Sequence, residues 1–94
     1  MESCEDWKPA KARYTPEPDF TEAARKHRYQ AVVYINLIIG SGGKVLRTRV
    51  LNNTRYGLDA AATSKVMTWK FFPATCGDRP VNSEMDVEVA FNFF

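Results

Sequence analysis

Thr68-Trp69-Lys70-Phe71-Phe72-Pro73-Ala74-Thr75-Cys76-Gly77-Asp78-Arg79-Pro80-Val81 places three aromatic rings ahead of a run broken by Pro, Gly and Pro. Either the rings close the end of a helix onto a core, or they form an exposed aromatic binding loop. The residues upstream favour the core. Leu58, Ala62, Val66 and Trp69 recur at helical spacing with Ala61 beside them, which predicts the main helix over 58–69. Asp59 in its first turn and Lys65 and Lys70 near its end have the signs that suit the helix dipole. Pro73 forbids continuation, and Gly77 and Pro80 turn the chain toward a last strand. Trp69 and one of the two Phe residues are therefore expected inside.

Working outward, residues 84–94 alternate. Met85, Val87, Val89, Phe91 and Phe93 face one way, and Glu84, Asp86, Glu88, Ala90 and Asn92 the other. Residues 29–39 predict a strand with apolar side chains on both faces and no charge, hence a central one. Gly40-Ser41-Gly42-Gly43 then makes a hairpin into a strand over 44–52, where Leu46, Thr48 and Val50 are half buried and Arg47 and Arg49 are wet. No helix follows these glycines, so they are not a phosphate cradle. A right-handed crossover through the main helix leaves the first strand between the other two and makes the last strand an edge. A short helix over 19–27 is expected, with Asp19 as cap and Glu22 as its capping-box partner. Pro9, Pro16 and Pro18 keep residues 1–17 an extended arm ahead of a domain over 18–94. The fold class is α+β: a small antiparallel three-stranded sheet packed by a main helix in ββαβ order, with a short N-terminal helix and the arm.

A chain of 94 residues, 45% hydrophobic and with a net charge of +2, is one domain without the basic excess that nucleic-acid binding asks for. No apolar run reaches the ~20 residues of a membrane span, and the acidic N-terminus does not resemble a signal peptide. The single His, His27, lies in the basic helix end Arg25-Lys26-His27-Arg28, and the acids Glu84, Asp86 and Glu88 alternate on a wet strand face. No catalytic residue, cofactor or metal site is therefore expected. Cys4 and Cys76 are the two cysteines. The residues alone leave open two free thiols or one bridge from the arm to the loop after Pro73.

Pro18, Glu22-Ala23-Ala24-Arg25, an apolar strand and Gly43-Lys44-Val45 come in that order. Gly57-Leu58-Asp59-Ala60-Ala61, Trp69-Lys70-Phe71, Pro73-Ala74 and Gly77-Asp78-Arg79-Pro80-Val81 follow, ahead of an alternating strand that ends in Phe. Over residues 16–94 the chain resembles the C-terminal domain of the TonB energy-transducer family. The resemblance implies a periplasmic location, with tethering to the inner membrane by an anchor that this chain lacks. It implies TonB-dependent outer-membrane transporters as partners, bound through their TonB box, and the ExbB–ExbD motor through that anchor. It also implies an oxidising compartment, in which Cys4 and Cys76 are expected to pair. The chain departs from the family pattern in having Ala31 where many members have Gly, and Cys76 in a loop that is usually polar.

Joined to the edge position of the last strand, the resemblance gives Val87, Glu88, Val89, Ala90 and Phe91 as the expected peptide-binding residues. A homodimer, or a stand-alone interaction module of another envelope protein, is the competing role.

Overall fold

The computed structural model describes residues 4–93. In chain order its elements are β1 (Trp7–Lys8), β2 (Lys11–Tyr14), α1 (Glu22–Lys26), β3 (Ala31–Ile39), β4 (Val45–Val50), α2 (Leu58–Val66), β5 (Lys70–Phe72), β6 (Ala74–Cys76), β7 (Arg79–Val81) and β8 (Ser83–Phe91). The principal sheet is antiparallel in the order β4-β3-β8, so β3 is central and β8 is an edge, as its crossover through α2 requires. β3 and β8 pair over their full lengths, from Ala31 opposite Phe91 to Ile39 opposite Ser83. Val33, Ile35, Leu37 and Ile39 point into the core, where they meet Leu58, Ala62 and Val66 of α2; all seven are inaccessible to solvent. The period of two on β3 and the helical spacing on α2 thus bury one continuous apolar layer.

Leu46 departs from its expected half-buried place. The β3–β4 register shifts between Ile38 and Ile39, so Val45 pairs with Ile39 and Arg47 with Ile38. Leu46 is the extra residue of this bulge and is 56% exposed, while Val45 takes the inward position. The short helix is also re-capped. Thr21, not Asp19, precedes α1: its hydroxyl accepts from Ala24 N at 3.1 Å and donates to the Tyr56 carbonyl at 2.5 Å. The second bond reaches a loop remote in sequence, which local spacing cannot reveal. Thr21→Ala is expected to cost about 1–2 kcal/mol, seen as a lower urea midpoint at unchanged slope.

The opening stretch itself differs most from expectation. α2 stops at Val66, and Thr68 N and Trp69 N donate back to the Lys65 and Val66 carbonyls in a tightened last turn. Residues 70–81 are not irregular; they form three short strands. β5 pairs with β2 of the arm, Lys11 opposite Phe72 and Ala12 opposite Phe71. β6 lies between β1 and β7, with Trp7 opposite Cys76 and Cys76 opposite Arg79. Pro73 falls in the break between strands, and Pro80 lies on β7, an edge strand that tolerates a missing donor. The arm is extended, and its strands are paired into the fold. Trp69 and Phe71 are buried, at 8% and 5% exposure, while Phe72 stays outside.

Gly43 joins this ribbon to the principal sheet. Its carbonyl accepts from Phe71 N at 2.9 Å. It has φ +87°, and a Cβ there would lie 2.1 Å from the Phe71 carbonyl oxygen. Gly43→Ala is expected to destabilise the fold by about 2–3 kcal/mol, since the obstacle is backbone and the φ is strained for any side chain. A thermal melt within a degree or so of the parent would contradict this.

Candidate partner-binding edge

β8 offers two different surfaces beside its free edge. On the inward side Val89 and Phe91 are buried, while Val87 and Met85 are only half buried. On the outward side Glu84, Asp86, Glu88 and Ala90 are exposed. Every second residue of an edge strand turns its N–H and C=O away from the sheet, so β8 retains a row of unpaired backbone groups.

The outward face of the sheet is polarised across its width. Arg49, Asn36 and Asp86 form one cross-strand row, and Arg47, Ile38 and Glu84 the next. The basic side chains are on β4 and the acidic ones on β8. The Asn36 amide donates to Asp86 Oδ1 at 2.8 Å and to Glu84 Oε1 at 3.1 Å, which holds two of the three carboxylates in place. Beyond the end of β4 the side chain of Asn52 continues the ladder. It accepts from Tyr34 N and donates to the Val32 carbonyl, both at 2.8 Å. Tyr34, opposite Glu88, Leu51 and this fixed amide then line a shallow groove of about 500 Å³ that opens along Asp86, Val87 and Glu88.

The other flank is set by the arm. Trp69 Nε1 donates to the Pro16 carbonyl at 2.8 Å, which holds the chain beside β8. Thr15, Glu17 and Pro18 face Glu88, Val89 and Ala90 across a cleft of about 150 Å³, and a second cleft of about 130 Å³ continues past Phe20 to Phe91 and Asn92. Among the described residues no backbone hydrogen bond crosses from 15–20 to β8. The chain end is fixed by the same segment: Phe20 stacks on Phe93 and meets Phe91 edge-on, and the Arg28 guanidinium lies over the Phe93 ring.

The five expected residues are therefore contiguous on one edge strand, but their side chains divide. Glu88 and Ala90 are exposed on the outer face, Val89 and Phe91 belong to the core, and Val87 lies between. The groove residues Tyr34, Leu51 and Asn52 and the flanking Thr15, Glu17 and Pro18 lie outside that set. Pro16 and Pro18 predict an extended segment, but not where it runs. Beside β1 and β6, Cys4 and Cys76 are joined by a disulfide, and Gly77 N donates to the Asp6 carbonyl at 2.9 Å.

The model of the family described as Gram-negative bacterial TonB protein C-terminal matches residues 16–93. The chain belongs to that family. The TonB C-terminal family is periplasmic and consists of non-enzymatic interaction domains of energy transducers. The disulfide is consistent with that compartment. Among solved structures, the chain is similar to the solution NMR structure of the Pseudomonas aeruginosa TonB C-terminal domain. That likeness has a TM-score of 0.74 and 18% identity, and it covers 92% of this chain and 88% of that one. At that identity the likeness is one of fold. A sequence comparison with curated proteins gives no match.

Proposed function

We propose that the free edge of β8, over Val87 to Phe91, receives an extended segment of an outer-membrane transporter, its TonB box, as an added strand. In this reading the domain is the periplasmic end of a transducer whose membrane anchor engages the ExbB–ExbD motor, and the added strand passes the proton-motive force to ligand uptake. The observation that carries the reading is the unpaired edge of β8 in a chain of the TonB C-terminal family. Backbone pairing supplies affinity, and the flanking side chains supply selectivity. The cleft between Pro18 and Ala90 lets a strand approach without first breaking a backbone ladder, because none crosses it. Ordering a flexible segment offsets much of the gain, so an isolated peptide binds weakly.

The acidic outer row gives a specific test. Peptides from the periplasmic N-termini of transporters of the same cell are titrated into the oxidised domain by fluorescence anisotropy. Those with a basic flank should bind several-fold tighter than those with an acidic one. The difference should shrink in Asp86→Asn/Glu88→Gln and when salt is raised from about 0.05 M to about 0.5 M. Failure of every such peptide to bind saturably would overturn the reading.

A further inference from the structure

The net charge of +2 conceals a second charged surface, on the ribbon that the arm builds with β5. Phe71 points into the core, so its neighbours Lys70 and Phe72 point outward. Residues opposite each other in an antiparallel ladder share a face. The pairing therefore brings Lys11 beside Phe72, and Tyr14 beside Lys70. The bridge between Lys44 and Lys70 adds a third lysine to the second row. Lys8, opposite Thr75 and exposed, adds a lysine on the neighbouring strand β1, while Trp7 beside it turns to the other face. Tyr14 and Phe72 are 61% and 56% exposed. These two are among the most exposed large apolar side chains of the described residues, and no acid occupies any position of the two rows.

We infer that this lysine-aromatic ribbon docks the domain on an anionic lipid surface. Lysine ammonium groups on flexible stems suit a diffuse field of headgroup phosphates, whereas planar arginine forks suit fixed bidentate partners. Aromatic rings beside them suit the headgroup level of a bilayer. Juxtamembrane lysines attract anionic leaflets in an additive, salt-sensitive way. The ribbon lies on the arm, β5 and the β3–β4 turn, so this inference does not depend on strand addition at β8.

The test is co-sedimentation of the oxidised protein with vesicles of phosphatidylcholine alone or with about 30% phosphatidylglycerol at low salt. The anionic vesicles should retain about tenfold more protein, and about 0.5 M salt should release it. Lys11→Glu/Lys70→Glu should abolish retention, and Arg47→Glu/Arg49→Glu on the outer sheet face should leave it unchanged. Because a double reversal can perturb folding, Phe72→Ser alone, checked by circular dichroism, should lower retention several-fold. Equal retention by neutral vesicles, insensitivity to the Lys11 and Lys70 reversal, or loss in the Arg47 and Arg49 variant would each overturn the inference. So would binding to a single-stranded oligonucleotide without binding to vesicles.

Discussion

Trp69→Ala is expected to lower the unfolding free energy by about 3–5 kcal/mol, the usual cost of emptying a large aromatic site in a core. Trp69 is 8% exposed, and its ring lies 6.3 Å from that of Phe71, the other aromatic that the end of α2 commits to the core. The indole N–H donates to Pro16, so removing it also leaves that carbonyl without its partner and releases the arm from the flank of β8. Trp69→Phe separates the two contributions. It keeps most of the apolar volume and loses the hydrogen bond, and should cost only about 1–2 kcal/mol. Urea unfolding followed by circular dichroism measures both variants. A change below about 0.5 kcal/mol in Trp69→Ala, typical of a surface site, would contradict burial of this ring.

Reducing the Cys4–Cys76 bond is expected to cost about 4 kcal/mol, from the loop-closure entropy of a link across 72 residues. The effect is large because the local pairing is small: β1 contributes two residues to the ladder on β6. Cys4→Ser/Cys76→Ser should unfold at the same urea concentration as the reduced parent. Hydrogen exchange should show the loss first at 5–8 and 74–81, with β3 protected longest. Intact mass after alkylation without reduction should show no modified cysteine. Two alkylated cysteines in protein kept under oxidising conditions would remove the claim.

The principal layer was legible because its signals are long. β3 has nine residues without a charge, β8 nine that alternate, and α2 buries Leu58, Ala62 and Val66 at helical spacing. These patterns also carry the order β4-β3-β8, since an uncharged strand belongs in the middle. The ribbon was not legible. β1, β5, β6 and β7 have two or three residues each, below the four to eight over which alternation can be recognised. Pro80 argues against a strand at β7, and β5 and β1 find partners at the opposite end of the chain, as with Lys11 and Phe72 or Trp7 and Cys76. The edge position of β8 followed from topology. Its flanks did not: the Pro16 carbonyl finds Trp69, and Asn52 finds Val32 and Tyr34, through contacts without sequence periodicity.

The central claim, that β8 accepts an added strand, is tested most directly by titrating isotope-labelled, oxidised domain with a transporter's periplasmic N-terminal peptide. Strand addition predicts amide shifts concentrated on residues 84–93, with smaller ones at Thr15 and Glu17 as the flanking cleft fills. It also predicts slowed amide exchange at the edge-facing N–H groups of β8, which gain hydrogen-bond partners. Saturating peptides from several such transporters that leave these amides unmoved, or that move only the Arg25–Arg28 region, would contradict the account.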